Sequence, residues 1–457
     1  MLTHLRIQNF KSWRDTGAIR LAPITVLFGN NSAGKSSIIQ FLLLLKQTVE
    51  SPDRRRVLHP GDEHTPVDLG TFRDLVYDHD EKRRVAFDVA WTLPESLDFE
   101  DPITKRKYSG DDLRFEAAVG VDSKTSQVFV ERLEYRLQSK ADTGPSIVMA
   151  PVKQRYKLTE HNYKLVRNQG RAWQLKPPVR FYGFPDEVFS YYQNADFLAG
   201  FALALEKQFR GLQYLGPLRN RAKRDYPWAG EVPEHVGWSG ERAVEALLAA
   251  KDRKINPGFR KPGVLFPVLV AAWLKQMRLL DSFEARSIAE HRKQYEVLVK
   301  TKGSKEEVNL TDVGFGISQV LPVIVSCFYA AANTTVLIEQ PELHLHPAVQ
   351  SEMADLFVEA IHAREDGVDR GMQFIIESHS EHFLHRLQRR IAEGVDLKRD
   401  EVALYFCENG AQGSDLRPLD VDLFGNITNW PAGFFGDDMG DLVAMTEAAA
   451  RRSESIK

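Results

Sequence analysis

"GNNSAGKSS", Gly29 to Ser37, follows the apolar run "ITVLFG" (Ile24 to Gly29) and leads into "SSIIQFLLLLKQT". The first run reads as a short buried strand ending on glycine, and the last as a strongly apolar helix. Between them the residues match G-x-x-x-x-G-K-[ST], in the strand–loop–helix context that this motif requires. Its glycines let the backbone N–H groups of Gly29, Asn30, Asn31, Ser32, Ala33 and Gly34 turn inward around a phosphate. The helix N-terminus adds its partial positive charge. Lys35 is placed to reach the β- and γ-phosphates and Ser36 to ligand Mg²⁺, with Ser37 beside it. A nucleotide site for ATP and Mg²⁺ is expected here.

Three later segments narrow the type. "VLIEQPELHLHP" (Val336 to Pro347) is an apolar strand that delivers polar groups and is stopped by proline. In the Walker B position it offers Glu339 as the metal-side carboxylate and Gln340 where a general base is usual. An amide orients water but cannot take its proton, and losing a positioned base costs about 10²–10⁴-fold in rate. Slow hydrolysis is therefore expected, with Glu342 the first substitute base and Glu377 the second. "FIIESHS" is a further buried strand, ending at His379, which suits a sensor of the γ-phosphate. "LTDVGFGISQVLP" (Leu310 to Pro322) is a glycine-paired turn opening an apolar helix just before the Walker B strand. Cradle, long insert, glycine turn, Walker B and histidine switch follow the order of an ATP-binding cassette (ABC).

With "LRIQNFKSW" at the start of the chain, these motifs resemble those of the SMC/RecF-like ABC ATPases. "YLGPLRNRAKRDY", "VGWSGE" and "NWPAGFF" are similar to stand-alone ATPases of the OLD-like branch (overcoming lysogenization defect), found in bacterial antiphage systems. The resemblance covers nearly the whole chain and is weakest over residues 83–166. It implies an α/β fold: an ABC-type P-loop ATPase head with an inserted antiparallel β lobe and helical segments. It also implies ATP sandwiched between two subunits. One chain would supply Lys35, Ser36, Glu339 and His379, and the other its glycine turn, with Gly314, Gly316 and Ser318 or Thr311 facing the γ-phosphate. Lys11 and Ser12 lie where this family's N-terminal loop meets the nucleotide. The implied partners are a second copy of the chain and a separate effector, a nuclease or toxin. A RecF-type DNA-repair ATPase acting without an effector is the alternative.

Composition is consistent with this. The 457 residues are 43% hydrophobic and 27% charged, with a net charge of −3, so no global basic field announces nucleic acid. The two cysteines are too few for a disulfide framework or a thiolate zinc site. Apolar stretches run to about a dozen residues, too short to span a bilayer. A cytoplasmic protein with no membrane contact is expected. Three parts are expected: residues 1–80 (Walker A), 81–262 (β lobe plus helical and loop segment) and 263–457 (signature, Walker B, switch and tail, the last ending in a polar helix). Apolar alternation in "LRFEAAVGV" and "VFVERLEYRL" marks half-buried strands of the β lobe. Local basic clusters stand at Lys82 to Arg84, at Arg219, Arg221, Lys223 and Arg224, and at Arg386, Arg389 and Arg390. The second is the best nucleic-acid candidate, since Tyr214, Tyr226 and Trp228 are available there to stack on bases. His344, His346, His382 and His385 show no zinc spacing. Asp420 and Asp422 form a D-x-D with Glu408 upstream, but too little chain follows for a nuclease domain.

Overall fold

The computed structural model describes residues 1–139, 143–153, 155–170, 174–258, 261–289, 292–431, 445, 446 and 448. Most of the polar helix expected at the end of the chain and most of "NWPAGFF" lie outside the described residues.

The apolar runs assemble into one six-stranded sheet. Its order is Gln213–Leu215, Thr335–Glu339, Gln373–Glu377, Ile24–Gly29, Val402–Gly410 and Gly413–Pro418. All neighbours are parallel except the last pair, which forms an antiparallel hairpin. Thr335–Glu339 and Gln373–Glu377 are buried at every position, which is why they read as unbroken apolar runs rather than alternating ones. Leu27, Leu337, Ile375 and Cys407 pack into one layer, and Val26, Phe28, Ile338, Ile376 and Phe406 into the other.

The first layer holds the helix Lys35–Glu50 and an eight-stranded antiparallel sheet. Phe41 of that helix packs edge-on against Phe10 and Phe87, each at 5.1 Å between ring centroids. Sandwiched between two sheets, the helix is apolar from Ile38 to Leu45 save for Gln40. The eight-stranded sheet is not built from the inserted segment alone. Leu2–Phe10 pairs with Val85–Glu100, and the sheet continues through Lys107–Val121, Val128–Gln138, Thr143–Val152 and Arg155–His161. The N-terminal segment and residues 85–161 thus share one sheet. The second layer holds the helices Phe266–Gln276, Phe315–Tyr329, Pro347–His362 and Glu381–Glu393. No helix among the described residues is long and apolar enough to cross a membrane.

One buried amide joins the two sheets. The Gln373 side chain accepts from the Leu2 N–H (3.0 Å) and the Thr335 hydroxyl (2.8 Å). It donates to the carbonyls of Leu2 (2.7 Å) and Ala22 (3.1 Å). With every lone pair and proton engaged, it is a satisfied polar group in the core. Gln373→Leu strands these partners, each buried unsatisfied group costing roughly 1–3 kcal/mol, so a loss of about 3 kcal/mol is expected in urea denaturation.

Candidate nucleotide site

The parallel strands bring Gly29, Glu339 and Glu377 to one edge, because Glu339 pairs with Glu377 and Glu377 with Leu27 in register. In open parallel sheets the crevice beyond the carboxyl ends of the strands is where ligands bind. A groove of about 370 Å³ opens there, lined by residues 31–37 of the glycine-rich loop, by Lys11, Ser12 and Gln40, and by Gln340, Glu377 and His379.

The loop has the backbone that its glycines allow. Gly29 sits at φ +136° and Gly34 at φ +87°. The Gly29 Cα approaches the next strand so closely that a Cβ would lie 2.0 Å from the Cys407 carbonyl oxygen. The Lys35 ammonium donates to the carbonyls of Gly29 (3.0 Å) and Asn30 (2.7 Å), and burial lowers its pKa. The Ser36 hydroxyl donates to Glu377 Oε2 at 2.7 Å. Lys11 donates to Gln40 at 2.6 Å, and the Trp13 indole donates to the Gly34 carbonyl at 3.0 Å. The C-terminal hairpin closes this corner. Ser414 N–H donates to the Ser12 carbonyl at 2.8 Å, and a Cβ on Gly34 would meet Ser12, Ser414 and Trp13 within 3 Å.

Residues 1–105 and 269–384 match the model of an AAA ATPase domain family (AAA_15), and residues 397–445 match a family described as a protein of unknown function (DUF3696). The two segments of the first match carry the glycine-rich loop, the strand Thr335–Glu339 and His379. Solved structures similar in fold include the SMC head domain from Thermotoga maritima, at 11% identity and a TM-score of 0.40, covering 92% of this chain and 99% of that one. An SMC head bound to the C-winged helix domain of ScpA has 12% identity, a TM-score of 0.41 and coverages of 92% and 98%. A Pyrococcus furiosus Smc head bound to the C-terminal domain of ScpA has 11% identity, a TM-score of 0.38 and coverages of 92% and 96%. No curated protein matches the chain in sequence.

At the groove the polar groups expected from the Walker B strand separate. Gln340, held at φ +45°, lines the groove, and its backbone N–H donates to the Glu377 carbonyl at 2.8 Å. Glu339 accepts from the Tyr214 hydroxyl at 2.9 Å, and burial together with the Glu377 carboxylate pushes its pKa up to about 7. Burial also raises Glu377. Glu342 does not line the groove: it is 7% exposed and accepts from the His379 N–H at 2.6 Å, so it braces the switch backbone. His379 lines the groove, and burial and the nearby Lys35 hold its pKa down at about 4, keeping the ring neutral near pH 7.

Ser36 and the paired Glu339 and Glu377 fit a hard divalent cation. Hydroxyl and carboxylate oxygens are the donors Mg²⁺ takes, and two carboxylates side by side in a buried edge need a positive charge between them. Mg²⁺ bound there would neutralise charge on the phosphates. Among the described residues no group of three or more His, Cys, Asp or Glu is placed to hold a metal ion together.

The glycine turn lies away from this groove. Gly314 caps the helix Phe315–Tyr329 and is exposed, with nothing within 4 Å of a Cβ built on it, while a Cβ on Gly316 would approach Leu345 at 3.7 Å. Ser318 is 9% exposed and faces the loop of residues 220–226 in its own chain. Thr311 is engaged by the Asn309 side chain at 2.9 Å.

Several expected contacts with nucleic acid are corrected. Arg219 is 6% exposed and donates to the carbonyls of Glu339 (2.9 Å) and Gln340 (3.2 Å); it braces the Walker B turn instead of reaching a phosphate backbone. Tyr214 is committed to Glu339, and Tyr226 is 5% exposed. Arg221, Lys223 and Arg224 are exposed, the last paired with Asp312 at 2.7 Å. Arg386 and Arg390 pair with Asp355, and Arg389 with Glu393. His346 caps the helix Pro347–His362, and Asp422 caps a turn by accepting from the N–H groups of Phe424 and Asn426. The sequence motifs do not announce the parts played here by Tyr214, Trp13 and Ser414, nor the bond from Ser36 to Glu377. A glutamate closing a buried strand is the available signal for the last, since Glu is almost never fully buried without a partner.

Proposed function

We propose that the chain is an ATP-binding, Mg²⁺-dependent ATPase that hydrolyses slowly and acts as an ATP-gated dimer switch. It controls a separate effector, a nuclease or toxin, in the antiphage setting that its OLD-like motifs imply. The observation that carries the reading is the pairing of a complete phosphate cradle with an amide at residue 340. Lys35 and the loop N–H groups bind and orient the phosphates, and neutral His379 is placed to hydrogen-bond the terminal one. Gln340 orients water but takes no proton. The turn at Gly314 and Gly316 does not line the chain's own groove, which supports completion of the site by a second copy. ATP then acts as a latch between subunits, and its slow loss times the release of the partner.

Multiple-turnover ATP hydrolysis by the full chain tests this. Wild type is expected below about 1 s⁻¹, the low edge of ordinary turnover. Gln340→Glu at saturating Mg²⁺ is expected to rise about tenfold or more, as a positioned base contributes roughly 10²–10⁴-fold where geometry is ideal. Fast wild-type turnover that Gln340→Glu does not raise defeats the latch.

The exposed Arg221, Lys223 and Arg224 favour a second reading, a RecF-type ATPase that engages DNA without an effector. Salt-dependent binding of duplex DNA by the isolated protein distinguishes it, because each phosphate contact adds about 0.9 to the slope of log K against log salt.

A further inference from the structure

We propose that Glu377, on the strand between the P-loop and Walker B strands, is the carboxylate that holds the divalent cation against Ser36, with Glu339 standing behind it. The inference rests on the nucleotide reading above and assigns its metal-side residue.

Three observations carry it. The Ser36 hydroxyl, the loop's metal-side group, donates to Glu377 Oε2 at 2.7 Å. Glu377 is the carboxylate lining the groove, whereas Glu339 does not line it and is turned to the Tyr214 hydroxyl at 2.9 Å. Finally, the Gln340 backbone N–H binds the Glu377 carbonyl at 2.8 Å, and Gln340 lines the groove together with Glu377. An amide donor steadies an anion where a carboxylate would repel it. The amide at residue 340 thereby acquires a positive role. It orients the carboxylate that faces the cation, and the lost base is the cost of that arrangement.

Glu339 and Glu377 end adjacent strands in register, so moving the metal contact from one to the other shifts it by one strand toward the P-loop. Tyr214 then works as a positioning residue that keeps Glu339 off the groove.

The test is the Mg²⁺ dependence of binding a fluorescent ATP analogue to the full-length protein, without turnover. In EDTA, Glu377→Gln is expected to bind the analogue at least as tightly as wild type, because the substitution removes a negative charge from the groove that takes the phosphates. On adding Mg²⁺, Glu377→Gln should need roughly 10–100-fold more cation for half its effect, the range seen when groups that hold or orient a metal are lost. Glu339→Gln should shift far less. Ser36→Ala should shift as Glu377→Gln does, and the double variant should show no additive shift, because the two act on one ion. Gln340→Glu should also raise the Mg²⁺ requirement.

A shift confined to Glu339→Gln, with Glu377→Gln tracking wild type, overturns the assignment and leaves the nucleotide reading standing. Wild type that binds no analogue, with or without Mg²⁺, overturns both. Retained binding by Glu377→Gln in EDTA, with a melting temperature close to that of wild type, separates loss of the ion from loss of the fold.

Discussion

Lys35→Ala is expected to weaken ATP binding by roughly 30-fold to several thousand-fold, the 2–5 kcal/mol that follows truncation of a buried charge-paired group. The Lys35 ammonium bridges the carbonyls of Gly29 and Asn30, at the mouth of a loop that lines the groove. It lines the groove, and burial disfavours its charge until an anion arrives. The fold should tolerate its loss, because Ala suits a helix and the carbonyls can take water. Calorimetric titration with ATP beside thermal denaturation checks both halves. Lost affinity with an unchanged melting temperature is the expected pair of results.

Gly29→Ala should instead damage the fold, by about 4–5 kcal/mol. At φ +136° a side chain strains the backbone by about 1–3 kcal/mol. The added methyl meets a backbone oxygen of the neighbouring strand at 2.0 Å, not the end of a flexible side chain. Relief requires moving Val402–Gly410 away from Ile24–Gly29, against overpacking costs of roughly 1–3 kcal/mol or more. Urea denaturation of the two proteins measures the difference, and a loss under about 1 kcal/mol would show that the strand edge yields easily.

The six-stranded sheet was legible because its strands are buried on both faces and so stand out as short apolar runs. "ITVLFG", "TTVLIE", "MQFIIES" and "EVALYFCENG" all became strands of it. Its edge was not. Gln213–Leu215 has only three residues, within a turn-rich segment whose Gly and Pro masked it. The alternating strands of the lobe announced themselves, but alternation says nothing about partners, so the share of Leu2–Phe10 in that sheet was hidden. At the site, the loop and His379 were readable from motifs, since local backbone geometry dictates them. The direction of Glu339, Glu342 and Arg219 was not, because it depends on which buried partner each finds: a tyrosine, a backbone N–H and two carbonyls. The charge cluster around Arg219 shows the same limit, with one side chain of the group folded inward and the others exposed.

The P-loop strand has as its two neighbours Gln373–Glu377 and Val402–Gly410, and the hairpin that follows them touches Ser12. In order of synthesis, the cradle leaves the ribosome ahead of both neighbours by the whole length of the insert. Until Gln373–Glu377 has emerged, Ile24–Gly29 has neither of its strand partners. The nascent chain must therefore carry an unpaired apolar edge through most of its translation. A chain cut short anywhere before the hairpin lacks the strand and turn that close the groove at Gly34.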